Sequence, residues 1–88
     1  MYYVYVLKCS DNTLYKGYTS NWGNRLYQHI NGSVKSTKSR LPVELIYIQG
    51  FKNKTDAIRE ENYLKTGKGR EQLKLKLETY LKRAGVVE

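Results

Sequence analysis

The N-terminal segment constrains the fold most, because its side chains alternate as in two short β-strands. Residues 2–8 read Tyr-Tyr-Val-Tyr-Val-Leu-Lys, and aromatic and β-branched side chains of this kind favour a strand. A turn cluster, Ser10-Asp11-Asn12, follows, and residues 13–19 resume the alternation. The sequence therefore predicts a β-hairpin at the start of the chain.

Helix signals and one further strand follow the hairpin. Ser20 or Asn21 is a capping residue for a first helix, and Asn31-Gly32 ends it. The apolar positions of this helix are spaced by four residues: Trp22, Leu26 and Ile30. A third strand is predicted over residues 43–49.

Two more helices complete the predicted order. One follows Asn53 and stops before Gly67, and the other spans residues 71–83. We therefore expect the α+β class, with a small three-stranded mixed sheet flanked by helices in the order β-β-α-β-α-α. Because 88 residues support only one core, residues 1–84 are predicted to form a single domain, followed by a short tail over residues 85–88.

The charge balance points to an anionic partner. Lysine and arginine number 16 against 8 aspartates and glutamates, which gives a formal net charge of +8 at pH 7. Nucleic acid is the usual partner of such a surface, and a membrane surface is the other candidate.

Cysteine usage and hydropathy predict the cellular location. Cys9 is the single cysteine, so an internal disulfide and a cysteine-based zinc site are excluded, and a lone thiol fits a reducing compartment. No apolar run approaches the length of a transmembrane helix, and the N-terminus lacks the layout of a signal peptide. We therefore expect a cytoplasmic protein that does not insert into a membrane.

Glu61 lies where the helical pattern predicts an apolar residue. It follows Ile58 by three positions and precedes Leu64 by three, so it shares the inward side of the second helix. A buried carboxylate must be paired, hydrogen-bonded or bound to a metal, because an isolated buried charge is very costly. A salt bridge at the edge of the core and a functional site both satisfy this requirement.

Arg25 and His29 form a second polar group, on the first helix. They are four positions apart and flank its apolar stripe, so they project together near the border of that stripe. An arginine can clamp a phosphate with two parallel hydrogen bonds, and a histidine can orient water or move a proton. The alternative is a solvated helix face with one incidental histidine.

The tyrosines form a third group, since the chain has nine tyrosines against one phenylalanine and one tryptophan. Tyr5 and Tyr15 share one face of the hairpin if its loop has three or five residues, whereas a two-residue turn puts them on opposite faces. The sequence alone leaves this register open, and by default these are ordinary sheet residues. Gly17, inside the second strand, indicates a bulge or the close approach of another group.

In chain order, these residues resemble the GIY-YIG nuclease family, and in particular its small stand-alone members. The matching positions are Tyr3-Val4-Tyr5, Tyr15-Lys16-Gly17, Arg25, His29 and Glu61-Asn62. The resemblance extends from Tyr2 to about Leu81. It implies a metal-dependent endonuclease that hydrolyses phosphodiester bonds, with DNA preferred to RNA as the expected substrate and DNA repair or processing as the expected role.

The resemblance also implies a role for each matching side chain. Tyr5 and Tyr15 line the catalytic site beside Gly17, and one of the two tyrosines helps to deprotonate the attacking water. Arg25 stabilises charge on the phosphate, and His29 assists.

Glu61 is implied to hold one divalent ion, Mg²⁺ or Mn²⁺. A single carboxylate suits Mg²⁺, which keeps most of its waters and takes other oxygens from a substrate phosphate.

Four positions depart from the family pattern. Tyr3 stands in place of the leading glycine, and Lys16 in place of an apolar residue. Tyr18 stands where a lysine is common, and Trp22 where a leucine is frequent. Lys16 is a candidate substitute for the absent lysine, although an ideal strand turns it to the opposite face.

Further phosphate contacts are expected from two basic segments. The first is the loop of residues 33–41, which has three cations and no acid, and the second flanks Gly69. The nucleic-acid-binding candidates are Lys16, Lys35, Lys38, Arg40, Lys68 and Arg70, with Ser36, Thr37 and Ser39 as neutral helpers in the loop. No base-reading module is visible, so binding is expected to be structure-directed or nonspecific, with a protein partner as a source of specificity.

Two other interpretations stay open. A nucleic-acid-binding module of the same fold, with little or no turnover, would keep the basic surface but has no need of a carboxylate that faces phosphate. Alternatively, Arg25, His29 and Glu61 form one structural salt-bridge cluster in a generic basic domain. That cluster predicts a large loss of stability for Glu61→Ala and no metal binding.

Overall fold

The structure is a computed structural model that describes residues 1–86. Within that range it contains three strands, four α-helices and one 3₁₀ turn. The strands are β1 (Tyr2–Lys8), β2 (Leu14–Thr19) and β3 (Glu44–Phe51). The helices are α1 (Trp22–Ile30), α2 (Lys54–Leu64), α3 (Gly67–Lys76) and α4 (Glu78–Ala84), and the 3₁₀ turn is Lys38–Arg40. Residues 87–88, the end of the predicted tail, lie outside the described residues.

The three strands form one sheet in the order β2-β1-β3. The predicted α+β class and the three-stranded sheet are confirmed, with one correction: both strand pairs are antiparallel, so the sheet is not mixed. β3 runs in the same direction as β2 but pairs with the far edge of β1. The central strand therefore separates the two strands that would otherwise form a parallel pair.

The β1–β2 hairpin has the register that puts the two motif tyrosines together. Its last pair is Lys8 with Leu14, so the loop has five residues. Tyr5 and Tyr15 consequently lie on the same face of the sheet, and their ring centroids are 6.2 Å apart. The buried part of the candidate site, around these two tyrosines, lies on this face of the hairpin.

The opposite face of the sheet forms the hydrophobic core. Val4 and Val6 of β1 are fully buried there, in one cluster with Ala57 and Leu64 of α2 and Leu73 of α3. Partly buried side chains pack around this cluster: Tyr2, Leu14, Tyr18, Ile46, Tyr47, Phe51 and Leu77. Burial of these apolar groups holds α2 and α3 against the sheet.

The last predicted helix begins earlier than expected and is divided in two. Thr66 caps α3, since its Oγ1 accepts the backbone N–H of Gly69 at 3.1 Å. Leu77 has a φ of −113° and a ψ of 21°, which end α3, and α4 starts at the next residue. The observed order is therefore β-β-α-β-α-α-α. The apolar spacing hides this break, because Leu73, Leu77 and Leu81 keep a regular four-residue repeat across it.

Helix α1 buries a different side from the one that its apolar spacing predicts. Ile30 is 59% exposed, whereas His29 is fully buried. Trp22, Arg25 and Leu26 are half-buried. The inward side of α1 is polar and aromatic because it packs against the tyrosines of the hairpin and not against the aliphatic core. The interpretation of α1 as a solvated face with an incidental histidine is therefore wrong.

Candidate active site

Gly17 of β2 makes room for the ring of Tyr5 on the neighbouring strand. The two residues pair across the hairpin, and Tyr5 is fully buried. A Cβ atom on Gly17 would lie 2.5 Å from the Tyr5 hydroxyl oxygen and would overlap the ring. The group that approaches Gly17 closely is therefore the Tyr5 side chain, which explains a glycine inside a strand.

Gly17→Ala is expected to displace the Tyr5 ring and to lower the free energy of unfolding by about 1–3 kcal/mol, the usual cost of overpacking. Urea unfolding followed by circular dichroism measures this loss. Gly23→Ala is the matched control, because a Cβ at Gly23 in α1 has no atom within 4 Å. The control is expected to be neutral or to stabilise by up to about 1 kcal/mol. Equal stabilities of the two variants would mean that the Tyr5 ring has another position available.

Arg25 and His29 of α1 converge on the Tyr5 hydroxyl group. Arg25 Nε donates a hydrogen bond to the hydroxyl oxygen at 3.2 Å, and His29 Nε2 lies 2.8 Å from the same oxygen. The other ring nitrogen of His29, Nδ1, lies 2.9 Å from Oγ1 of Thr37. Tyr5, His29 and Thr37 are all fully buried, so they form a hydrogen-bonded chain shielded from solvent. We call it the Tyr5–His29–Thr37 chain.

Burial keeps the Tyr5–His29–Thr37 chain uncharged, and the Arg25 guanidinium adds to this effect at His29 only. Burial, followed by the charge of Arg25, lowers the pKa of His29 from 6.5 to about 4. Burial also raises the pKa of Tyr5 from 10.0 to about 12, although the hydrogen bond from Arg25 acts in the opposite direction. At pH 7 the site therefore contains a neutral imidazole and a protonated phenol beside the Arg25 cation.

Tyr15 lies between the Tyr5–His29–Thr37 chain and an open cleft at the edge of the sheet. Its ring centroid lies 5.2 Å from that of His29 and 6.2 Å from that of Tyr5. It also lines a cleft of about 440 Å³. The other residues that line the cleft are Leu14, Lys16, Ser36, Glu61, Lys65 and Arg70. Tyr15 thus contacts the Tyr5–His29–Thr37 chain on one side and the cleft that contains Glu61 on the other.

Glu61 lies in the wall of this cleft and keeps partial access to solvent. Its side chain is 20% exposed, and its Oε2 lies 3.4 Å from Nζ of Lys65, the residue that follows α2. Exposed ion pairs at this spacing contribute only about 0.3–0.5 kcal/mol. Arg25 makes separate contacts, with Tyr5 and with Oε1 of Gln28 at 3.3 Å. The carboxylate and the arginine are therefore held independently, which argues against one structural salt-bridge cluster.

The basic residues predicted to contact phosphate fall into three groups. Those that line the cleft beside Glu61 are Lys16 and Arg70. Those that are exposed on the surface are Lys35, Lys38 and Lys68. Arg40 is half-buried and donates hydrogen bonds to Thr13 Oγ1 and to the Ser36 carbonyl oxygen, each at 2.6 Å. In this structure Arg40 thus holds the loop of residues 33–41 in place.

Two residues of the site have roles that the sequence analysis missed. Lys65 pairs with Glu61 across one helical turn, and the i, i+4 spacing of the two residues contained that signal. Thr37, which the loop pattern predicts to be exposed, is fully buried against His29. Nothing in the sequence distinguishes this threonine from the serines beside it, so only the packing of the loop on α1 reveals it.

Comparison with protein-family models identifies the family to which this protein belongs. The model of the GIY-YIG catalytic domain matches residues 1–74. The chain belongs to the GIY-YIG family. The match begins before β1 and ends within α3, so it includes every residue named above for the site. GIY-YIG catalytic domains are nuclease domains, and nucleic acid is the class of partner that the family implies.

GIY-YIG relatives and a solved structure span most of the chain. A UPF0213 protein from Pediococcus pentosaceus is 51% identical over 65 residues, which cover 73% of this chain and 68% of the relative. The UPF0213 protein SH2523 from Staphylococcus haemolyticus is 44% identical over 75 residues, which cover 84% of this chain and 92% of the relative. The solution NMR structure of the UPF0213 protein BH0048 from Bacillus halodurans is similar with a TM-score of 0.54 and 36% identity, over 83% of this chain and 82% of that one.

Two departures from the GIY-YIG pattern can be located in the structure. Trp22 packs over Tyr5, with ring centroids 4.9 Å apart, so it acts as a packing residue that helps to bury the tyrosine. Lys16 of β2 lines the cleft together with Glu61. A lysine is therefore present in the cleft, although it comes from a different position of the strand.

Proposed function

We propose that this GIY-YIG protein is a metal-dependent endonuclease that hydrolyses phosphodiester bonds in DNA. The observation that supports this proposal best is the presence of a carboxylate, Glu61, in a cleft lined by Lys16, Lys65 and Arg70. A module that only binds nucleic acid has no use for this carboxylate, because its negative charge repels phosphate. A hydrolase uses such a carboxylate to hold a divalent cation beside the phosphate.

Arg25 and the two tyrosines supply the remaining groups that the reaction requires. Arg25 stays charged, since its hydrogen bond with Tyr5 raises the arginine pKa further, and it stabilises the negative charge that develops on the phosphate. One of the two tyrosines orients the attacking water and helps to remove its proton. The pKa of about 12 disfavours the phenolate of Tyr5, so Tyr5 would need additional positive charge in the site, of the kind a divalent cation would supply, to act as a base.

Glu61 is the residue proposed to hold that cation. Residues 1–86 contain no cluster of three or more His, Cys, Asp or Glu side chains that could bind a metal on its own. A single carboxylate nevertheless fits Mg²⁺ or Mn²⁺, because Mg²⁺ is commonly held by one or two carboxylates together with substrate phosphates. When bound, the ion supplies a Lewis acid for the phosphate and lowers the pKa of a bound water. Lys65 gives up its ion pair with Glu61 in that state.

Six basic residues are proposed to hold the DNA backbone. They are Lys16, Lys35, Lys38, Arg40, Lys68 and Arg70. Phosphate contacts position DNA without reading its sequence, so we propose structure-directed or nonspecific cleavage, with a protein partner as a source of specificity. A cytoplasmic role in DNA repair or processing is consistent with this substrate. Among residues 1–86, no helix has the length and apolar character needed to span a bilayer.

A nucleic-acid-binding module with little or no turnover is the second candidate function. The ion pair between Glu61 and Lys65 favours it, because the carboxylate already has a cationic partner. On this hypothesis the lysine neutralises the carboxylate, and the cleft binds the nucleic-acid backbone with a steep salt dependence.

Cleavage of a panel of labelled nucleic acids distinguishes the two candidates. The panel contains duplex, branched and single-stranded DNA with the matching RNAs, each incubated with Mg²⁺, Mn²⁺ or EDTA. We expect metal-dependent cleavage of DNA that EDTA abolishes. Glu61→Gln protein, purified in the same way, controls for a contaminating nuclease. Salt-dependent binding of the panel without cleavage in either metal would instead identify the binding module.

A further inference from the structure

Thr37 is fully buried in a loop whose serines and lysines are exposed. Its backbone N–H bonds to the carbonyl oxygen of Val34 at 3.1 Å, and Val34 is itself only 7% exposed. The side chain of Thr37 points to α1, where Oγ1 lies 2.9 Å from Nδ1 of His29. Burial of a hydroxyl group is unfavourable unless it is hydrogen-bonded, so this contact allows the loop to bury Thr37 against the helix.

One arrangement of protons satisfies all the hydrogen bonds of the Tyr5–His29–Thr37 chain. Arg25 has only donor groups, so its Nε–H occupies one acceptor position of the Tyr5 oxygen. The Tyr5 hydroxyl proton is then available to Nε2 of His29, 2.8 Å away. A neutral imidazole that accepts at Nε2 must have its proton on Nδ1. That proton points at Oγ1 of Thr37, which can accept it.

We propose that Thr37 is a positioning residue that accepts the Nδ1–H of His29 and thereby holds the imidazole in the tautomer whose Nε2 accepts the Tyr5 proton. Thr37 touches neither phosphate nor water in this role and acts through His29. The hydrogen-bond partner of one ring nitrogen sets which of the two nitrogens of a neutral histidine carries the proton, as it does in catalytic sites.

The consequence for catalysis rests on the proposed nuclease function. When the Tyr5 proton points to His29, one lone pair of the Tyr5 oxygen accepts the hydrogen bond from Arg25 and the other is left for the reaction site. In the opposite tautomer, His29 donates to this oxygen and the Tyr5 proton must turn elsewhere. Loss of the Thr37 acceptor is therefore expected to lower kcat and to leave KM nearly unchanged, because no phosphate contact is removed.

Nuclear magnetic resonance of the ring nitrogens tests the assignment directly. The chain contains one histidine, so its two ring ¹⁵N resonances belong to His29 without further assignment. At pH 7, the wild-type protein is expected to show a protonated Nδ1 and an unprotonated Nε2. Thr37→Val keeps the shape of the side chain but removes the acceptor, so a shift toward the Nε2–H tautomer is expected. Thr37→Ser keeps a hydroxyl group and is expected to restore the wild-type tautomer.

Activity measurements complete the test. Thr37→Val is expected to lower kcat by about 10- to 100-fold, the range found for residues that orient a catalytic group, and Thr37→Ser to recover most of it. Ser39→Ala, an exposed neighbour in the same loop that does not line the cleft, is the control for the nitrogen spectrum and is expected to leave the tautomer unchanged.

Two results would overturn the assignment of Thr37. One is an Nε2–H tautomer in the wild-type protein, which requires no variant to fold. The other is an unchanged tautomer in Thr37→Val. Because the nitrogen spectrum needs no substrate or metal, its result is independent of turnover. A wild-type protein with the expected tautomer but no cleavage would contradict the nuclease function and leave the positioning role of Thr37 intact.

Discussion

Glu61→Gln is expected to lower metal-dependent cleavage by about 1000-fold or more while the protein stays folded. The amide has the shape of the carboxylate but no charge, so it removes the charge that holds the cation, which is worth several kcal/mol in the transition state. The side chain is 20% exposed and its ion pair with Lys65 is at the surface, so the expected loss of stability is only about 0.5 kcal/mol. Single-turnover cleavage and urea unfolding measure the two effects separately.

Glu60→Gln is the matched control for this variant. Glu60 lies next to Glu61 on α2 and undergoes the same charge change, but it lines a different depression, with Phe51, Asp56, Arg59 and Tyr63. It is expected to cleave within about threefold of the wild type, as for surface substitutions outside a site. Binding of Mn²⁺, followed by electron paramagnetic resonance, is expected to weaken in Glu61→Gln alone. Equal cleavage activities of the two variants would mean that Glu61 takes no part in the reaction.

Gly69→Ala is expected to lower the free energy of unfolding by about 3 kcal/mol or more, at the upper end of the cost of overpacking. Gly69 is buried where α3 starts beside the end of α2. A Cβ atom there would collide with the carbonyl oxygen of Tyr63 and would lie 2.8 Å from the Cα of Leu64. These are backbone atoms, which cannot rotate away as a side chain can, so the two helices must separate.

Gly67→Ala provides the control for this stability loss, two residues earlier in the same helix. A Cβ at Gly67 has no atom within 4 Å, so alanine there is expected to be neutral or to stabilise by about 0.4–1 kcal/mol. Thermal unfolding by calorimetry should then separate the variants, with the midpoint of Gly69→Ala lowered by about 10 °C or more. Similar midpoints would mean that α2 and α3 are not packed as closely as described.

Much of the fold is predictable because it depends on local patterns. The alternation of Val4 and Val6 marks the face of β1 that meets the core, and the side chain of Asn21 caps α1 by accepting the N–H of Asn24 at 3.2 Å. The break at Leu77 and the antiparallel pairing of β3 are different. The pairing of β3 with β1 depends on contacts between segments distant in the chain, and the regular spacing of the leucines gives no sign of the break at Leu77.

The candidate site divides in the same way. The residues proposed for its chemistry could be named from the sequence, since Tyr5, Arg25, His29 and Glu61 occur at the spacing of a known family, and they lie on the elements predicted for them. The proximity of Tyr5 to Tyr15 could not be predicted from the sequence, because a change of one residue in the length of the hairpin loop would move Tyr15 to the other face of the sheet.

Only the tertiary structure decided which polar groups are buried. The apolar spacing of α1 favours Ile30 as an inward residue, yet His29 is buried and Ile30 is exposed. The reason is that the Tyr5 hydroxyl and Thr37 satisfy both nitrogens of the imidazole, so its burial leaves no unpaired polar group. The sequence by itself determined the three strands, the first two helices and the polar side chains that they bear. The hydrogen bonds that allow those side chains to be buried together arise between segments distant in the chain, and these appear only once the fold has formed.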